Sequence, residues 1–424
     1  MGEQGMHAPA LWSAQAQMPS VIGRQIEVVR GEGSYVTTAS GQRLLDATAG
    51  LWHANVGHGR IELAQAAYDQ MARLETYHVF GRFVNDAALA LAERLAHYSP
   101  FADAKVILSS GGSDAVDVAC KLARRHWQLE GRTSKKIVLS REFAYHGLHG
   151  YGTSVAGLQI NRDGYGTESL IPETARVHHS DIAEVEAAIH RIGPDNIAAF
   201  ITEPIMGTGG VIPPSDGYLE GLQRLALEHD ILLIADEVIT GFGRTGVMFA
   251  SERYDFMPDM LLMAKGITSG YAPLGGVLVA PRLWRRFYDG PDAPVYRHGL
   301  TYGGHATACA VANANLDILE REHLIARAGE LEKVLATTLD LARDHELVDD
   351  VRQAGFLAGV QLSASVDGNA VVDYAIDHGV ILRLLRGNTV QISPPFIVDE
   401  EEIGTIVNTI LHGVEAKSRI GAVA

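Results

Sequence analysis

Two short apolar runs, each closed by a charged residue, constrain this chain more tightly than any other feature. The first, Ile231 to Ala235 (ILLIA), runs into the acidic pair Asp236-Glu237. The second, Met260 to Ala264 (MLLMA), ends in Lys265, and a glycine-studded segment, GFGRTG at 241–246, lies between them. Continuous apolar runs of this length between turn residues read as strands buried on both faces, the mark of a parallel sheet covered by helices. Open sheets of that kind bind ligands at the C-terminal ends of their strands. A carboxylate and an amine delivered to that edge therefore mark a site. Desolvation there depresses a lysine's pKa and leaves a neutral, nucleophilic amine.

The rest of the chain supports that architecture. From Lys105 onward, strand and helix patterns alternate as far as GGVLVA at 275–280, which predicts a mostly parallel α/β sheet of the seven-stranded type. After Tyr302 the pattern changes to long helices, then short strands near FLAGVQL, VILRLL and TVQISP and a last helix from Asp399, a smaller α+β domain. We expect residues 1–50 to form an N-terminal arm and hairpin belonging to the small domain. Residues 51–310 are then the large domain, and 311–424 the C-terminal small domain.

Charge and cysteine usage narrow the function. A net charge of −16 over 424 residues disfavours nucleic acid and anionic membrane surfaces as partners. No run is long and apolar enough to suggest a membrane span, and the N-terminus lacks the pattern of a signal peptide. Two cysteines, Cys120 and Cys309, suggest neither a disulfide framework nor a metal site, and predict a reducing, cytoplasmic location. His146, His149, His178 and His179 lack a carboxylate or cysteine partner at convincing spacing, so no metal is expected.

Three further constellations fall where strands should end. Ser109-Ser110-Gly111-Gly112-Ser113-Asp114 precedes an amphipathic helix, and its free N–H groups and dipole suit an anion; an ordinary N-cap would look the same. Phe143-Ala144-Tyr145-His146-Gly147 offers an aromatic able to lie on a heterocycle, or simply a core tyrosine. Glu203-Pro204 supplies a carboxylate that orients a hydroxyl or a neighbouring residue, or a solvated strand end. GFGRTG satisfies G-x-G-x-x-G, yet it starts five residues after Asp236 and no strand with a ribose-binding acid follows. A nucleotide-binding oxidoreductase built on it is the remote alternative. An aspartate and a lysine placed like Asp236 and Lys265 are what pyridoxal 5′-phosphate (PLP) requires: an amine to hold its aldehyde and an acid to keep its ring nitrogen protonated.

Together these residues, and specifically LIADEVITGFGRTG, MAKGIT and HGLTYGGHATACAVAN, resemble the class III aminotransferases, PLP enzymes of fold type I. The resemblance implies that Lys265 holds the cofactor and shuttles protons, and that Asp236 pairs with the pyridine nitrogen. It implies Val238 under the ring and Tyr145 over it, with His146 and Glu203 alongside. Gly112 and Ser113 would take the phosphate, joined by Thr301 from the second subunit of a homodimer. Thr208, Ile239 and Gly50-Leu51-Trp52 are similar to the branch that moves amino groups from ω-amino acids or amines to pyruvate, in which a second acid at position 208 is absent. Trp52, Phe80 (the latter from the partner subunit) and Thr208 would then line the substrate pocket, with Trp12 loosely at its mouth. Arg383 would bind the keto-acid carboxylate, a role for which Arg386 competes because RLLRGNTVQ is one residue longer than usual. A PLP-dependent decarboxylase or aminomutase would use the same lysine and aspartate.

Overall fold

The computed structural model describes residues 10–166 and 170–418. The chain opens with an antiparallel meander, β1 (Val28–Glu32), β2 (Tyr35–Thr38) and β3 (Arg43–Asp46), matching the expected hairpin region. The central sheet follows. Its strands are β4 (Lys105–Ser109), β5 (Ile137–Arg141), β6 (Thr174–Val177), β7 (Ile197–Thr202), β8 (Leu232–Asp236), β9 (Met260–Met263) and β10 (Gly275–Val279). In space they run β4-β10-β9-β8-β7-β5-β6. All neighbours are parallel except β10, which is antiparallel to both β4 and β9.

Burial explains the apolar runs. Every residue of β7, β8 and β9 is buried, because helices cover both faces of the sheet centre. The helix Gly112–Leu129 lies across β9 and β10 and buries Ala115, Val118, Ala119, Leu122, Ala123 and Trp127. The remaining strands are β11 (Val348–Gln353), β12 (Ala358–Leu362), β13 (Val380–Ile381), β14 (Arg383–Leu385) and β15 (Thr389–Ile392). Strands β11, β12, β15 and β14 form a second, antiparallel sheet, while β13 pairs in parallel with β3 and so ties the N-terminal meander to the C-terminal region. The long helices expected after Tyr302 include Leu324–Thr338, which is followed directly by the short helix Asp340–Arg343.

The segment 241–246 joins these units. Arg244 is fully buried and donates to the carbonyls of Phe356 and Pro394 and to Asn55 Oδ1, at 3.1, 2.7 and 2.9 Å. Its guanidinium lies over Phe396, and burial lowers its pKa to about 9. A Cβ on Gly243 would come within 3.0 Å of Ile325 and Phe396, and one on Gly246 within 3.1 Å of the Gly329 backbone. These glycines permit close packing against the C-terminal region. Ile325, Phe396 and the Gly329 backbone fill the space that a dinucleotide would need before these glycines, which argues against the dinucleotide reading of GFGRTG.

Candidate active site

The C-terminal ends of the parallel strands meet along one rim, and a cavity of about 510 Å³ opens there. Strand β8 ends in Asp236, β9 leads to Lys265, β7 to Glu203, and β5 to the loop bearing Tyr145 and His146. Strand β4 leads to the helix start at Gly112-Ser113. Trp52, Gly112, Ser113, Tyr145, His146, Glu203, Thr208, Asp236, Val238, Lys265 and Arg383 all line this cavity. Strand order thus brings together residues as far apart as Gly112 and Lys265, and Trp52 and Arg383 join them from outside the central sheet.

The two strand-end charges have different local chemistry. Burial pulls the Lys265 amine down to about 8, against the opposing pull of Asp236 and Glu203. Its backbone sits in the left-handed region at φ 48°, an unfavourable conformation for a side chain that the surrounding fold enforces. The amine lies 5.1 Å from the centre of the Trp52 ring. Asp236 is 5% exposed; one oxygen accepts from the Val238 N–H at 3.1 Å and the other faces His146 Nδ1 at 2.7 Å. Since a carboxylate only accepts, Nδ1 carries the imidazole proton. His146 Nε2, fully buried, has no hydrogen-bond partner among the described residues.

Glu237, the other half of the acidic pair, faces away from this chemistry. It is fully buried and accepts from Thr240 Oγ1, the Ala250 N–H, and both the N–H and Oγ of Ser251, at 2.6–2.7 Å. Glu203 is also committed to backbone: it accepts from the Tyr145 N–H at 3.0 Å and the Gly207 N–H at 2.9 Å. It therefore holds the Tyr145 loop against the cavity wall, one of the roles expected of it.

At the helix start, a Cβ on Gly112 would sit 3.1 Å from the Val238 methyls, so only glycine leaves the cradle open. Gly147, at φ 79°, lies so close to Ser113 that a Cβ there would fall 2.3 Å from its Oγ. The Leu148 N–H points to the same Oγ at 3.3 Å. Free N–H groups, a helix dipole and a serine hydroxyl converge on a space fit for a phosphate. The neutralisable amine, the buried acid and this cradle suit PLP, and each group has a place for a different part of it.

The sequence missed other contributors. Asp46 holds the Trp52 turn by accepting from the N–H and Oγ1 of Thr48 and the Gly50 N–H, and it faces His58 Nε2 at 2.9 Å. Gln15, from the N-terminal arm, reaches the cavity, where Trp12 was the expected arm residue. Leu158, Ile160 and Asn161 complete one wall. Nothing in their local sequence marks them. Arg386 lines the cavity together with Arg383, so both arginines are present. Phe80 and Thr301 do not line it. Phe80 is 46% exposed and rests on Gly299, placing it beside the exposed Thr301 loop.

A seven-stranded, mostly parallel sheet with a smaller sheet domain, and a lysine and aspartate at its C-terminal rim, defines a PLP-dependent transferase of fold type I. The chain belongs to the family Aminotransferase class-III, whose model matches residues 18–414. It is an aminotransferase, and its cofactor is PLP. It is 35% identical over 408 residues to the putrescine–pyruvate aminotransferase of Pseudomonas aeruginosa, covering 90% of this chain and 88% of that one. It is 35% identical over 402 residues to the omega-aminotransferase of Caulobacter vibrioides, covering 89% and 91%. The crystal structure of the omega transaminase from Pseudomonas jessenii in complex with PMP superposes with a TM-score of 0.92, at 32% identity over 96% of each chain. Among the described residues, no helix is long and apolar enough to cross a membrane.

Proposed function

We propose that this chain transfers an amino group from an ω-amino acid or amine donor to a keto acid such as pyruvate in two half-reactions. Bound at Lys265, PLP supplies an electron sink for the carbon that carries the amino group. Lys265, once its amine is free and neutral, takes a proton from that carbon and later returns one. Asp236, oriented by His146 and the Val238 N–H, holds a proton at the ring nitrogen. Gly112 and Ser113 hold the phosphate, with Val238 and Tyr145 on the two ring faces.

The observation that carries the donor and acceptor assignment is the state of Arg383. Its guanidinium sits 4.8 Å over the Trp52 ring, and among the described residues no carboxylate lies within ion-pair reach of it. Thr208 lines the same cavity where a masking acid would otherwise stand. An unmasked arginine is ready for the carboxylate of a keto acid and free to move aside for an amine that lacks one. The exposed aromatic surface around Tyr77, Phe80, Phe83 and Tyr302 supports a homodimer in which Phe80 and Thr301 complete the partner's site. Cys120 and Cys309, both buried and outside any disulfide among the described residues, suit a reducing, cytoplasmic location.

The test is a panel of diamines, ω-amino acids and aryl-alkyl amines with pyruvate, following alanine. Alanine formation without CO₂ release is expected. No alanine from any donor overturns the pyruvate assignment.

A further inference from the structure

Two arginines line one cavity, and each rests on a different aromatic platform. Arg383 ends over Trp52. Arg386, just beyond β14, lies flat on Phe143, with its guanidinium carbon 3.3 Å from the ring centre. Arg383 lies in β14 and Arg386 in the turn that follows it, and their separate platforms set the two heads in different regions of the cavity. Between them, Trp52, Leu384 and Leu385 offer an apolar lining.

Neither guanidinium has a carboxylate within ion-pair distance among the described residues. The nearby Arg352 is spent on the carbonyls of Gly210 and Val211, on Thr389 Oγ1 and on Asp350. Glu142 and His179 flank the Phe143 platform; Arg352 repels the Arg386 guanidinium and Glu142 attracts it, without forming an ion pair with it among the described residues. Phe143 is itself held: its backbone is at φ 68°, and a Cβ on Gly209 would strike the Phe143 carbonyl at 2.6 Å. A guanidinium stacked by its face on a fixed ring keeps its edge N–H donors free, in the planar arrangement that matches a carboxylate.

We infer that Arg386 is a specificity-determining residue that binds a second carboxylate, at the far end of the substrate from the group held by Arg383. This rests on the transaminase reading above and deepens it: dicarboxylic keto acids, or their amino counterparts, belong to the substrate range along with pyruvate. The two arginines are then complementary, not competing.

The experiment compares 2-oxoglutarate with 2-oxopentanoate, which has the same carbon chain with a methyl group in place of the distal carboxylate. The wild-type holoenzyme should show a kcat/KM ratio well above one in favour of 2-oxoglutarate. Arg386→Gln should lower that ratio at least about tenfold, by weakening the binding of 2-oxoglutarate (a raised KM) and leaving kcat nearly unchanged, and Arg386→Lys should restore part of it. Phe143→Leu, which removes the platform but keeps the charge, should produce a smaller fall in the same ratio. A ratio unchanged in Arg386→Gln, or a wild-type ratio at or below one while pyruvate is turned over, overturns the inference alone. No exchange with any keto acid, including pyruvate, overturns the transaminase reading as well.

Discussion

Replacing Lys265 with methionine should make the cofactor-free chain more stable at neutral pH. In the folded chain burial draws this amine to about 8 from its ordinary 10.5. Below pH 8 the amine is charged in both folded and unfolded states, and the folded state bears the whole cost of burying it. Above 10.5 it is neutral in both, and the cost disappears. A gap of 10.5 less about 8 corresponds to about 3 kcal/mol at most. Methionine has a similar length and no charge, so it recovers that amount at pH 7. By the same linkage, the gain shrinks to about 1.5 kcal/mol at pH 9.5. Urea unfolding of the cofactor-free wild type and Lys265→Met, followed by circular dichroism at pH 7 and at 9.5, measures both quantities. A variant less stable than wild type, or a gain that does not fall with rising pH, would refute the argument that Lys265 is held in a desolvated site at a cost to stability.

The remaining predictions concern the neighbours of that lysine. Asp236→Asn should retain bound cofactor, seen in its visible absorbance, and lose at least about 100-fold in kcat, because an amide cannot hold the ring-nitrogen proton in place. Glu237→Gln should cost about 1–3 kcal/mol of stability, since the amide nitrogen would face either the donors of Thr240 and Ala250 or those of Ser251; the visible absorbance of the folded fraction should be normal. Gly147→Ala forces a methyl against Ser113 Oγ at a positive φ, a strain of about 1–3 kcal/mol. Cofactor titration should show a corresponding loss of affinity, roughly 5- to 150-fold. An unchanged dissociation constant would separate Ser113 from the phosphate.

Much of the fold was legible because its determinants are local. The fully apolar runs ending at Asp236 and Lys265 declare strands buried on both faces, and the alternation around them declares a covered parallel sheet. GFGRTG was conspicuous for the wrong reason. Its glycines record close packing against Phe396 and Gly329, contacts some eighty to a hundred and fifty residues away, and only the folded chain can show why no side chain fits there.

The chemistry that this chain can perform was determined by the sequence itself. It resides in side-chain types at strand ends: an amine, a carboxylate, and a glycine-serine helix start. Their periodic context alone places them on one rim. Tertiary structure decided how each is used. It turned Asp236 toward His146 and the cavity but Glu237 toward Ser251 and Thr240, although the two are adjacent in the chain. It also set Arg383 on Trp52 and Arg386 on Phe143, and left Phe80 and Thr301 outside the cavity of their own chain. The physical reason is the same in each case. Strand direction delivers a residue to the rim, but the partner it meets there comes from distant chain, and burial makes each such choice of partner energetically decisive.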